Sequence, residues 1–257
     1  MLFAKNISFN VGATPLLQDI SVQFQPRKIN LIIGPNGAGK STLVKILSGQ
    51  LKPATGEVLY GGKNIAGIPV AEQARFRAVL SQNMELAFPL TVREVVMMGR
   101  YPHFDSSPRQ TDKDICEEAM RFFDITGFVD RNYMTLSGGE KQRVHFARVV
   151  AQIWAQVEGQ PRFLLLDEPL TFLDVYYQFG FMNKLCELAK QQNLVIAGVV
   201  HDLNLVGKYA DYLVLLNEGK ILAEGSKQSV LTENNLYAAY KMKAEIQPNG
   251  SDIRLFF

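Results

Sequence analysis

Gly34-Pro35-Asn36-Gly37-Ala38-Gly39-Lys40-Ser41 stands between Ile29-Asn30-Leu31-Ile32-Ile33 and Thr42-Leu43-Val44-Lys45-Ile46-Leu47. The first flank is short, apolar and β-branched, as a buried strand is; the second repeats apolar residues at three- and four-residue intervals, as a helix does. The glycines therefore occupy a strand-to-helix turn, the context in which this pattern holds phosphate. Gly34, Gly37 and Gly39 permit the backbone angles and close approach that let successive amides converge on an anion, and the helix start adds a favourable dipole. Lys40 is expected to reach the β- and γ-phosphates, and Ser41 to offer its hydroxyl to a magnesium ion.

The 257 residues suffice for one large α/β unit with a sizeable core. With 47% hydrophobic and 20% charged residues the composition is that of an ordinary globular protein, and a net charge of +2 provides no electrostatic case for nucleic acid. Met1 to Asn10 has no basic region followed by a long apolar segment, and no run approaches the roughly 18 apolar residues of a membrane span. The expected location is the cytosol, unless a partner holds the chain at a membrane. Cys116 and Cys186 have neither close pairing nor metal-ligand spacing and are expected to be free thiols.

Before the glycine loop, Leu2-Phe9 and Ile20-Phe24 have strand character around a loop containing Gly12 and Pro15, forming an expected antiparallel flap. Glu57-Tyr60 and Ala78-Ser81 are further strands. From Gln82 the chain changes: Pro89, Pro102 and Pro108 interrupt it, and Thr91-Gly99, Thr111-Phe123 and Gly139-Gln156 carry helical spacing. Residues 82–156 are expected to form a mostly helical subdomain, with 1–81 and 157–257 making the nucleotide-binding core. Phe163-Asp167 and Leu194-Val200 are continuous apolar runs, the mark of strands buried on both faces of a parallel sheet. Tyr212-Leu216 and Lys220-Ala223 flank the turn Asn217-Glu218-Gly219. A helix is expected over Thr232-Met242, then two short runs about Pro248-Asn249-Gly250.

Two more stretches carry chemistry. Phe163-Leu164-Leu165-Leu166-Asp167-Glu168-Pro169 places two acids at the carboxyl end of a strand, where open α/β sheets bind ligands. Asp167 can hold magnesium, and Glu168 can orient or deprotonate water; a solvated turn is the plainer alternative, weakened by the glycine loop. Leu136-Ser137-Gly138-Gly139-Glu140-Lys141-Gln142-Arg143 combines a helix cap with uncovered backbone amides, a second place suited to an anion.

Taken together, the glycine loop, Leu-Ser-Gly-Gly-Glu-Lys-Gln-Arg and Leu-Leu-Leu-Asp-Glu-Pro resemble the ATP-binding-cassette ATPases over nearly the whole chain. The resemblance implies an α/β P-loop NTPase core with an antiparallel β flap and a helical subdomain, using ATP and Mg2+. It implies a head-to-tail homodimer, each ATP held between Gly34, Pro35, Asn36, Gly37, Ala38, Gly39, Lys40, Ser41 and Thr42 of one subunit and Ser137, Gly138, Gly139 and Glu140 of the other. Family positions follow in order: Gln82 as a magnesium ligand that senses the partner, Leu173-Asp174 as the D-loop, and His201 at the γ-phosphate. On residues alone, Gln82 is equally a surface side chain and His201 a helix-start residue. His103 and His145 lack any alignment with the phosphate site and are expected to be structural.

The family's adenine-stacking aromatic falls near Val11 here, leaving Phe9 or Val11 for that contact, and Leu170-Thr171-Phe172 departs from the small residues common before Leu-Asp. A soluble cassette protein is disfavoured, since each motif occurs once and no coiled-coil insertion is present; an exporter subunit is the other alternative. Val92 to His103 resembles cassettes of iron-siderophore, cobalamin and haem importers. Gly99-Arg100-Tyr101-Pro102-His103, the additional residues Gln152 to Gln160, and Asp174-Val175-Tyr176-Tyr177-Gln178 bring the chain nearest the haemin-import group. That resemblance implies transmembrane permease subunits as partners, a periplasmic or surface binding protein acting indirectly, no nucleic acid, and a peripheral position on the cytoplasmic face of the inner membrane.

Overall fold

The computed structural model describes residues 1–81, 86, 88–155, 161–171, 173–192 and 194–257. The elements in chain order are β1 (Leu2–Val11), β2 (Thr14–Phe24), β3 (Ile29–Ile33), α1 (Lys40–Leu47), β4 (Thr55–Tyr60), β5 (Lys63–Asn64), α2 (Val70–Gln73) and β6 (Arg77–Leu80). Then follow α3 (Val92–Met97), α4 (Gln110–Phe122), α5 (Gly138–Gln152), β7 (Arg162–Asp167), α6 (Val175–Gln192), β8 (Leu194–Val199) and α7 (Leu203–Tyr209). The chain ends with β9 (Tyr212–Asn217), β10 (Lys220–Gly225), α8 (Lys227–Val230), α9 (Glu233–Tyr240), β11 (Glu245–Asn249) and β12 (Asp252–Phe256).

The central sheet has the order β10-β9-β3-β8-β7-β6, parallel except for the hairpin strand β10. Alternation along its strands divides the core. Phe163 and Leu165 of β7 and Val195, Ala197 and Val199 of β8 face α1 and the flap; Leu164, Leu166 and Ile196 face the cluster shared with α3, α4, α5, α6 and α7. All six positions of β7 and of β8 are buried, as their apolar runs require.

The flap is the antiparallel sheet β2-β1-β4-β5. Its β1–β2 connection is shorter than the sequence suggests, because β2 begins at Thr14 and takes in Pro15. Proline survives there because β2 is an edge strand, which can spare an amide. α6 is the element sequence periodicity did not single out. Val175, Tyr176, Tyr177, Phe179 and Gly180 are poor helix formers, yet burial of Phe181, Met182, Leu185 and Leu188 on one face against the sheet overrides propensity. Between β6 and β7, Arg100 binds α4 and α5 together: its Nε donates to Asp112 Oδ1 at 3.0 Å and its guanidinium donates to Ala151 O at 2.8 Å, with Arg100 only 4% exposed. Among the described residues no helix is long and apolar enough to cross a membrane.

Candidate functional site

β3 ends directly in the glycine loop, and α1 starts at its far side. Two glycines are imposed by the chain's own packing. A Cβ on Gly34 (φ 149°) would fall 2.2 Å from Leu216 O, and one on Gly39 (φ 98°) 2.8 Å from Leu16 O and 2.6 Å from a Leu17 methyl. The loop is thus wedged between β9 and the flap strand β2. Lys40 is buried, and its Nζ donates to Gly34 O and Pro35 O, both at 2.9 Å. Burial lowers its pKa, opposed by the nearby charges of Glu168 and Asp167.

The parallel register of β3, β8 and β7 brings Gly34, His201 and Asp167-Glu168 to one edge of the sheet. Asp167 is buried, which raises its pKa; a hydrogen bond from the Ser41 side chain works the other way. Its Oδ1 is buried and has no hydrogen-bond partner among the described residues. An orphaned carboxylate oxygen beside a serine hydroxyl suits a hard cation that keeps several waters, so this donor set fits magnesium. Glu168 takes a left-handed conformation (φ 53°), uncommon for a non-glycine residue. Its Oε1 lies 2.7 Å from His201 Nε2; an ionised carboxylate only accepts, so Nε2 carries the proton and donates.

The turn after Glu168 is held by residues whose part the sequence did not disclose. Thr171 Oγ1 donates to Glu168 O at 3.0 Å, Gln142 Nε2 to Pro169 O at 2.8 Å, and Gln178 Nε2 to Leu173 O at 2.9 Å. Gln142 belongs to the Ser-Gly-Gly-Glu-Lys-Gln stretch, which was the one available signal for it. Beyond His201, Asp202 caps α7, its Oδ1 accepting from Asn204 N at 2.8 Å and Leu205 N at 3.1 Å. Asp174 Oδ1 accepts from Tyr177 N at 3.1 Å at the start of α6.

Ser137 caps α5 with a reciprocal box: Glu140 N donates to Ser137 Oγ at 3.3 Å, and Ser137 N and Oγ donate to Glu140 Oε2, both at 2.8 Å. These bonds hold the Glu140 carboxyl below the usual carboxylate range. Among the described residues Gly138 has nothing within 4 Å of where a Cβ would stand, and Gly139 a Leu173 methyl at 3.9 Å. Gln82 lies outside the described residues, as do Phe172 and Gln156 to Gln160 of the additional stretch. Phe9 packs against the flap core, whereas Val11 is exposed. His103 binds Gln152 O at 2.7 Å and His145 is buried against the Tyr133 hydroxyl at 2.7 Å, so both serve packing. Both cysteines are free.

Residues 17–171 match the ABC transporter family model. The hemin import ATP-binding protein HmuV of Bordetella avium is 42% identical over 248 residues, 96% of this chain and 95% of that one. The HmuV protein of Gloeobacter violaceus is 44% identical over 232 residues, 90% and 84% of the two chains. Among solved structures, the ADP conformation of MJ1267, an ATP-binding cassette of an ABC transporter, superposes with a TM-score of 0.80 at 25% identity, covering 94% of this chain and 98% of that one. An inward-facing ABC transporter assigned to the metal-chelate type gives a TM-score of 0.81 at 25% identity over 99% and 95%.

Proposed function

This chain belongs to the ABC transporter family and is one of its ATP-hydrolysing cassettes, and from that premise we propose that it powers the import of haem through a transmembrane permease. The observation that carries the chemistry is the 2.7 Å contact between Glu168 and His201 at the sheet edge shared with the glycine loop. Amides of Gly34 to Thr42 bind the phosphates, and Lys40 exchanges its two loop carbonyls for the β- and γ-phosphate oxygens. Glu168 accepts the proton of the attacking water. His201 keeps Glu168 aimed here and, with nucleotide bound, turns its N–H to a γ-phosphate oxygen instead. Ser41, Asp167 and Gln82 would hold a magnesium ion, which when bound offsets charge developing on the phosphates.

Two copies pair head to tail, Ser137 to Glu140 of each completing the other's nucleotide site. The open space over Gly138 and Gly139 supports this reading, since among the described residues the nearest group to either is a Leu173 methyl at 3.9 Å. The helices between β6 and β7 dock the permease on the cytoplasmic face of the membrane, so nucleotide-driven closure reaches the transport pathway through them. Haem as cargo is supported by the names of relatives at 42% and 44% identity over most of the chain. The test is reconstitution with the cognate permease and a binding protein loaded with haemin, a ferric siderophore or cobalamin. ATP turnover and uptake should rise with haemin. Stimulation by a siderophore or cobalamin alone overturns the haem assignment and leaves the importer.

A further inference from the structure

At the edge of the sheet opposite the phosphate loop, where β3 and β9 begin, lies a cavity of about 380 Å3. Four cations from separate parts of the chain line it: Arg27 from the turn before β3, Lys190 near the end of α6, Lys208 near the end of α7, and Lys227 at the start of α8. Two carboxylates share the cavity and both are engaged. Asp211 Oδ2 accepts from Ile29 N at 2.8 Å, and Asp252 Oδ1 lies 3.5 Å from Lys227 Nζ. Lys227 also donates to Lys208 O at 2.9 Å, covering a carbonyl at the end of α7. Arg27, Lys190 and Lys208 have no carboxylate within 4.0 Å among the described residues. The cavity thus holds an excess of two positive charges, as many as the whole chain carries net.

Arg27, Lys190 and Lys208, none of them ion-paired among the described residues, line one concave space whose net excess of two positive charges an anion would offset. We propose that this cavity binds a small organic or inorganic polyanion bearing two or more phosphate or carboxylate groups, separate from the ATP that the phosphate loop holds. Offsetting helix ends accounts for Lys227, which bonds a terminal carbonyl, and for Lys190 and Lys208 in the last turns of α6 and α7, but not for Arg27, which comes from a loop. The volume accommodates a ligand of roughly the lower end of the size range of small-molecule sites. Arg27 supplies a fork for bidentate recognition, and the lysines supply point charges.

The test uses the full chain saturated with ADP, so that the phosphate loop is filled and its own anion binding is silent. Calorimetry with pyrophosphate in one arm and citrate in the other should give one saturable event in at least one arm, weakening as salt is raised. The double variant Arg27→Gln/Lys190→Gln should lose at least about tenfold in affinity. Lys52→Gln, an exposed lysine outside the cavity, should bind as the parent does. Retained ADP binding in every variant reports that the fold and the phosphate loop are intact. Saturable binding only to pyrophosphate assigns phosphate chemistry, and only to citrate carboxylate chemistry. No saturable binding in either arm, equal affinity in the double variant, or an equal loss in Lys52→Gln overturns the proposal while leaving the ATPase reading untouched.

Discussion

Two glycine-bearing helix starts, Gly34 to Lys40 and Ser137 to Glu140, look alike as anion cradles and are made in opposite ways. In the first, the backbone of Leu216 and Leu16 fills the space a side chain would need, so glycine is a condition of folding. In the second, the glycines border open space and the turn is closed by a capping box. A cradle built into the core holds its ligand alone; a cradle open on one side is half of a site. This difference supports the proposed composite arrangement better than either stretch does by itself.

The strongest blow to the inner cradle is loss of its chemistry. Glu168→Gln should lower ATP turnover by roughly 10²–10⁴-fold, the usual contribution of a general base, while still binding ATP. It should then accumulate as a dimer, and size-exclusion chromatography with ATP showing only monomer would count against it. Lys40→Ala should abolish turnover as well, but by weakening nucleotide binding, which equilibrium binding measurements separate from the first case.

Next in size, Gly39→Ala should destabilise the fold by about 2–4 kcal/mol, through overpacking against β2 and a disfavoured φ. Gly138→Ala should leave stability unchanged within about 1 kcal/mol or raise it, because alanine favours helix, yet reduce turnover. Thermal melts of the pair decide the comparison: equal losses would erase it. Ser137→Arg should spare nucleotide binding to its own chain and block hydrolysis. In mixtures with Lys40→Ala, one composite site carries both defects and the other neither, so partial recovery of turnover is expected. Mixtures as inactive as each parent reject the head-to-tail geometry.

The smallest effect lies in the outer cap. Its hydrogen bonds hold Glu140 below the ordinary carboxylate range, so they contribute stability that is present above the unfolded value of about 4.3 and lost as pH falls through the lower folded value. Glu140→Gln should therefore cost less than about 1 kcal/mol at pH 7, discounted for its partial exposure, and the difference from the parent should shrink in acid. A gap that is constant with pH removes the carboxylate from the account.

What could be seen in the chain beforehand follows the same division. β3, β7 and β8 are buried on both faces, so their apolar runs are plain, and the glycine loop is flanked by a change of period from strand to helix. α6 was hidden because Val175, Tyr176 and Gly180 oppose the helix that burial of Phe181 and Leu185 imposes. The start of β2 was hidden because Pro15 looks like a loop until the strand is known to be an edge. The Glu168–His201 contact joins residues just past the ends of two neighbouring strands, and only the adjacency of those strands in the sheet brings it about. Resemblance indicated both residues, whereas spacing alone could not. In Gly99 to His103 the residues are divided between tasks: Gly99 clears Arg148 O, Arg100 and His103 bond α4 and α5, and Tyr101 is exposed.

That division bears on how force would travel. Arg100 joins the end of α3, the start of α4 and the end of α5 through a buried ion pair and a carbonyl, and removing one side of such a pair costs several kcal/mol. A load applied at Tyr101, the neighbouring residue, therefore meets a strut rather than a hinge. On the proposed docking, a push at the rim would move the three helices as a unit and carry Ser137 with α5, as torque passes through a keyed shaft.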